Sequence, residues 1–279
     1  MPISLTTPVE LDEQTAQEVR EFADFVEARD GQPPLSDRAR THLTSTVMQH
    51  TLARDGSEFA GYGQLDGPHG EVVGSVEAVA AILEAWGDAV STVWTHGTRT
   101  NLISVLASHG FQRARVLHQL RRPTSAVVPP VVLPLGVSIE PFRVGVDEDA
   151  WLRTNAAAFA DHPEQGRVTR ADLEALIAEP WFSAAGFLLA WRDGQLLGYH
   201  WTKIHADGTG EVYVLGVDPA AQGLGLGKIL LNAGLAHLAS AGCPEVLLYV
   251  DESNTGAMQL YESVGFQRYD ADTQWTNGS

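Results

Sequence analysis

The sequence predicts an α/β chain of two tandem copies of one unit, each a central mixed β-sheet flanked by helices. Three observations lead there. Residues 211–249 carry a strand, a glycine loop and a helix in immediate succession. Residues 122–136 hold four prolines among β-branched residues, an extended and stiff composition. Landmarks of the first half also recur in the second at matching spacing. The reading is a first domain at 1–122, a linker at 123–136 and a second domain at 137–279.

The bulk numbers bound the class. A chain of 279 residues with 44% hydrophobic content supports one large or two ordinary cores. A net charge of −17 argues against nucleic acid and anionic membrane surfaces as partners. The single cysteine, Cys243, excludes an intrachain disulfide and a cysteine-based zinc cluster. It sits before Pro244 with no basic neighbour and reads as an inert small hydrophobe. No His-Glu-x-x-His occurs, and His200 and His205 are five apart, so no metal is expected. No apolar run reaches about 18 residues and no signal-peptide pattern opens the chain. The single cysteine fits a reducing cytoplasm.

In the first half, Leu11 to Ala28 reads as a helix with Val19, Phe22 and Val26 on one face. Ser36 caps a second helix that opens with Asp37. Strands are predicted over 46–53 and 58–65, joined by Arg54-Asp55-Gly56-Ser57, and again from Glu71. Residues 76–86 read as helix, 91–95 as strand, 101–108 as helix and 111–120 as strand. In the second half, helices are predicted over 147–159 and from the cap Thr169 to Ala178. Residues 187–192 and 195–204 form a hairpin across Asp193-Gly194. Strands follow at 211–217 and 245–250, a helix at 254–263 and a last strand from Phe266.

The two halves match in detail. Gly61-Tyr62 answers Gly198-Tyr199, and Glu71-Val72 answers Glu211-Val212. Trp94 is taken to answer Tyr249. Sixteen residues beyond each stands the same tetrapeptide, Gly-Phe-Gln-Arg, at Gly110 and at Gly265. The copies differ where chemistry would sit. Val73-Gly74-Ser75-Val76 runs straight into a helix, without the second copy's glycine loop, and Leu106 stands where the second copy has Tyr261. The first copy therefore reads as non-catalytic.

The loop is Gln222-Gly223-Leu224-Gly225-Leu226-Gly227, followed by Lys228 and a run with Leu231, Leu235 and Leu238 on one face. Glycines let a ligand approach the backbone, and the helix N-terminus favours an anion. The dinucleotide fingerprint fails here, as does the P-loop. Gln-x-x-Gly-x-Gly at Gln222, Gly225 and Gly227 resembles the pyrophosphate loop of the GNAT acetyltransferases, which bind acetyl-coenzyme A. Transfer from such a thioester to an amine needs a base for the amine and an acid for the thiolate. Glu211, on the strand feeding the loop, is the best base; the plain alternative is a solvated strand residue. Tyr261, on the face shared by Ala257, Leu260 and Val264, is the best acid; the plain alternative is a core tyrosine.

Several stretches resemble the mycothiol synthase family, a two-domain branch of the GNAT superfamily. They are 211–227, Ala158 to Gly166, Gly198 to Lys203, Leu248 to Asp251, Asn254 to Tyr261, Pro34 to Asp37 and Val93 to Gly97. The resemblance covers essentially the whole chain. It implies acetylation, by acetyl-coenzyme A, of the cysteinyl amine of 1D-myo-inositol 2-(L-cysteinylamino)-2-deoxy-α-D-glucopyranoside. It implies cofactor contacts at Leu215, Gly216, Val217, Gln222, Gly223, Leu224, Gly225, Leu226, Gly227, Lys228, Asn254, Thr255, Gly256, Ala257, Met258 and Gln259. It implies substrate contacts at Asp37, Glu164, Lys203, Glu211 and Tyr249, with Glu211 as base and Tyr261 as acid. The chain departs from the family at Asp37, where glutamate is usual, and in lacking a basic glycine loop in the first domain. Two other readings stay open: a GNAT enzyme for another amine, and a non-catalytic coenzyme A sensor.

Overall fold

The computed structural model describes residues 3–97, 102–160 and 165–278. Two compact units make up the chain, Met1–His118 with Asp270–Ser279, and Gln119–Tyr269.

The first unit contains β1 (Ile3–Thr6), α1 (Glu13–Asp30), α2 (Asp37–Thr41), β2 (Gln49–Asp55), β3 (Glu58–Asp66), β4 (His69–Gly74), α3 (Val76–Trp86), β5 (Thr92–Thr95) and α4 (Ile103–Ser108). The strand β6 (Phe111–Pro123) runs out of it. Local chemistry sets the helix bounds. Asp12 accepts from the Thr15 N–H at 2.7 Å to start α1, and Gly31 ends it at φ 81°. Strands follow the order β1-β2-β3-β4-β5, and the C-terminal β12 (Gln267–Asn277) lies next to β5. Val72 and Val73 point to opposite faces of β4. Val72 joins a core with Ile82, Leu83 and Trp86 of α3, while Val73 joins one with Val19, Ala23 and Val26 of α1.

The second unit contains β7 (Ser138–Pro141), α5 (Glu148–Ala158), α6 (Arg170–Ile177), β8 (Phe187–Arg192), β9 (Gln195–Ile204), β10 (Gly210–Val217), α7 (Leu226–Ser240), β11 (Glu245–Asp251) and α8 (Thr255–Ser263), its strands ordered β11-β10-β9-β8-β7. Asp193 at φ 51° and Gly194 at φ 76° make the tight β8–β9 turn. One face of the sheet carries Phe187 stacked on Trp201 at 4.2 Å, closed by Trp151. A second core gathers Leu231, Leu235 and Leu238 of α7 with Val212, Leu248, Met258 and Tyr261.

Among the described strand pairings, each unit has one that is parallel. In the first unit β4 and β5 run parallel, and their described pairing ends at Glu71↔Trp94. In the second β10 and β11 run parallel, and theirs ends at Glu211↔Leu247. Beyond those positions the facing strand edges carry main-chain groups without a ladder partner among the described residues.

Three expectations are corrected here. A division at residues 122 and 137 gives the last strand to the second domain, whereas residues from 270 on complete the first sheet. There Trp275 pairs with Val93, is buried, and donates its indole N–H to Thr95 Oγ1 at 2.9 Å. The strand registers put Trp94 level with Leu247, two residues before Tyr249. The strand predicted from Thr46 begins at Gln49.

Candidate active site

The site is built on the opening beside β10. Glu211 is the last β10 residue paired with β11, and it lies opposite Lys203 across β9. Its side chain is 10% exposed, and Oε2 accepts from His205 Nε2 at 2.8 Å. A bulge between Val212 and Val214 then breaks the β9–β10 register. Such a bulge bends the strand and sharpens its twist. Lys203 turns its ammonium over the rings of Trp181 and Tyr213, at 5.1 and 5.7 Å.

Strand β10 leads through Leu215, Gly216 and Val217 into the glycine loop. Gly216 is required for packing, because a Cβ there would stand 2.9 Å from the Tyr199 ring. Gly223 and Gly225 adopt φ 84° and 71°, with open space where a side chain would project. Gly225 is the N-cap of α7 and supplies no side-chain acceptor, and the first helical bond runs from the Ile229 N–H to the Gly225 carbonyl at 3.2 Å. The N–H groups of Leu226, Gly227 and Lys228 are therefore left for a ligand. Open space, three free donors and the positive end of a 15-residue helix fit a pyrophosphate.

Helix α8 forms the other wall. Asn254 caps it, accepting from the Ala257 N–H at 3.1 Å. Gly256 faces open space. Met258 is buried in the core, so only its main chain can meet a cofactor. Tyr261 is buried in the cluster that holds Val212, and packs edge-on against Phe266 at 5.8 Å. Burial pushes its hydroxyl up to about 12, so it stays protonated. Its hydroxyl has no hydrogen-bond partner among the described residues.

The remaining predicted contacts are placed differently. Tyr249 on β11 is 43% exposed, and its hydroxyl accepts from Gln119 Nε2 at 2.7 Å. Glu164 and the side chain of Asp37 lie outside the described residues. Sequence reasoning missed His205, which it weighed only as half of a metal pair. The available signal was alternation: His205 and Glu211 lie on one sheet face of a hairpin.

In the first unit the equivalent strand runs straight into a capped helix. Ser75 Oγ caps α3 by accepting from the Ala78 N–H at 3.1 Å. A Cβ on Gly74 would stand 2.6 Å from the Ala60 carbonyl, so β4 passes tightly into α3 with no glycine loop between them. Glu71, at the Glu211 position, accepts from the Ser36 N–H at 2.8 Å, Ser36 Oγ at 2.6 Å and His96 Nε2 at 3.2 Å. Burial alone would raise the Glu71 carboxyl; donation from His96 and Ser36 outweighs it and holds the group below its usual value. Leu106 is fully buried at the Tyr261 position.

Comparison with known proteins matches this architecture. The acetyltransferase (GNAT) family model fits residues 151–266. The mycothiol acetyltransferase of Thermomonospora curvata is 46% identical, over 95% of this chain and 94% of its own. That of Geodermatophilus obscurus is 45% identical, over 89% of each chain. Among solved structures, a GCN5-related N-acetyltransferase from Sphaerobacter thermophilus superposes with a TM-score of 0.75 at 20% identity, covering 97% of this chain and 94% of that one. A tandem GNAT protein from the clavulanic acid biosynthesis pathway gives 0.69 at 16% identity, covering 98% of both chains. The two solved structures carry the fold alone, while the curated relatives carry the family. The chain belongs to the mycothiol acetyltransferase family and has a tandem GNAT fold.

Proposed function

We propose that this chain transfers acetyl from acetyl-coenzyme A to the cysteinyl amine of 1D-myo-inositol 2-(L-cysteinylamino)-2-deoxy-α-D-glucopyranoside, giving mycothiol and coenzyme A. The observation that carries the reading is Glu211, a nearly buried carboxylate at the mouth of the β10–β11 opening, on the strand that leads into the glycine loop and the uncapped N-terminus of α7. Kinship with relatives named mycothiol acetyltransferase supplies the substrate.

The roles follow from the chemistry. Acetyl-coenzyme A supplies an activated acetyl thioester. The main chain of Leu215 to Val217 and of Gln222 to Lys228 holds its pantetheine and pyrophosphate, with Asn254 to Gln259 on the opposite wall. An α-amine titrates near pH 8, so at neutral pH much of it is protonated and cannot attack. Glu211 takes that proton, and the freed nitrogen lone pair attacks the acetyl carbon. As the carbon–sulfur bond breaks, Tyr261 gives its hydroxyl proton to the departing sulfur, and the second proton shed by the newly acylated nitrogen is returned to Tyr261 through solvent. Lys203, Tyr249, Glu164 and Asp37 serve the hydroxyl-rich substrate. Cys243, free and buried, takes no part. The first unit does no chemistry, since its glutamate is locked and its helix is capped. The same reading places the enzyme in the cytoplasm as a monomer. Expression in an actinobacterial strain deleted for its own mycothiol synthase tests it: restored mycothiol supports the reading, and continued absence of the thiol counts against it.

A further inference from the structure

We infer that His205 is the positioning residue for Glu211, holding one carboxylate oxygen so that the other faces the incoming amine. The inference rests on Glu211 being the base. A carboxylate can only accept, so the contact is His205 Nε2–H donating to Oε2, at 2.8 Å. Oε1 has no partner among the described residues and is the oxygen left for the amine.

The turn that presents His205 is itself fixed. The His205 N–H donates to the Thr209 carbonyl at 2.9 Å, and the Gly208 N–H returns to the His205 carbonyl at 2.9 Å. Asp207 closes the turn by accepting from the Thr209 N–H at 2.8 Å and its hydroxyl at 3.0 Å. The turn follows directly on the β9–β10 pairs Lys203↔Glu211 and Ile204↔Gly210. The imidazole thus reaches Glu211 from a rigid hairpin end, with its side chain 30% exposed. Lys203, the nearer cation in register, is held over Trp181 and Tyr213. Among the described residues, a single donor therefore sets the rotamer of Glu211. A free glutamate side chain has rotamer freedom to lose before it can act, and a base off line by about 1 Å costs on the order of 10²-fold in rate.

The test is steady-state turnover of the full chain with acetyl-coenzyme A and the cysteinyl glucosaminyl-inositol. His205→Phe keeps the bulk and removes the donor. It should lower kcat by about 10- to 100-fold, with the KM for acetyl-coenzyme A within about twofold. His205→Gln keeps an N–H near the Nε2 position and should recover kcat to within about threefold of the parent. If His205→Phe melts below the parent, His205→Ala carries the test, and added imidazole should restore its rate. Parent-like kcat in His205→Phe would overturn the inference, as would Gln and Phe variants equally slow at parent Tm, or no imidazole rescue. No turnover by the parent protein would instead remove the Glu211 reading, and the inference with it.

Discussion

In the first unit His96 Nε2 donates to Glu71 at 3.2 Å, at the strand position where the second unit carries Glu211. The other ring nitrogen of His96 faces Asp272 at 3.3 Å, on the strand returning from the C-terminus. Burial disfavours the charged ring, yet hydrogen bonds and charge from Asp272 and Glu71 prevail and push His96 up to about 10. One copy of the fold thus spends its strand glutamate on an ion triad. The other leaves half of its carboxylate free.

That triad has a pH signature. The folded value near 10 lies above the ordinary histidine value of 6.5. Its contribution is therefore full below pH 6.5 and is lost as pH rises through about 10. His96→Leu should destabilise the protein by about 3–5 kcal/mol at neutral pH, the usual cost of stranding buried charges. The parent's advantage in urea melts should shrink between pH 7 and 10. A constant gap across that range would contradict the triad.

Replacement of Gly225 tests the cofactor loop. Any side chain at φ 71° costs about 1–2 kcal/mol of backbone strain and occupies the space left for the pyrophosphate. Calorimetry on the parent should show one tight acetyl-coenzyme A site per chain, and Gly225→Trp should show none. A full-strength site in the variant would place binding elsewhere.

Tyr261→Phe keeps the packing against Phe266 and removes only the hydroxyl. It should slow turnover by about 10-fold or more while coenzyme A binding is unchanged. Parent-rate turnover would make Tyr261 a core residue like Leu106.

Lys203→Ala should raise the KM for the aminosugar by about tenfold, the worth of one charge-assisted hydrogen bond. The KM for acetyl-coenzyme A should hold. Equal effects on both would show that the loss is structural, acting through Trp181 and Tyr213.

Local chemistry made most of the elements readable. Asp193-Gly194 encodes its own turn, Ser36 and Thr169 cap the helices they precede, and Gly223 and Gly225 mark the loop. Four-residue β1 was missed because so short a strand has no period to read. The return of β12 to β5 was missed because Trp275↔Val93 joins residues 182 positions apart, and no local pattern encodes such a pairing. In the site, Glu211 and the loop were legible from position. The His205 contact depends on hairpin register, which the sequence bounds only loosely.

Glu211→Gln is the direct test of the base. It should lose about 10²–10⁴ in turnover, most severely below about pH 8, where deprotonation of the amine limits. Parent turnover at neutral pH would show that another group takes the proton.

The central claim is transfer to nitrogen, and thiol titration during turnover tests it most directly. Purified protein is incubated with acetyl-coenzyme A and the cysteinyl glucosaminyl-inositol, and total free thiol is followed alongside product mass. N-acetylation predicts one new thiol per acetylated product, because coenzyme A is released while the substrate's cysteine stays free. An acetylated product without a rise in thiol would mean transfer to sulfur, and no product at all would contradict the proposed function.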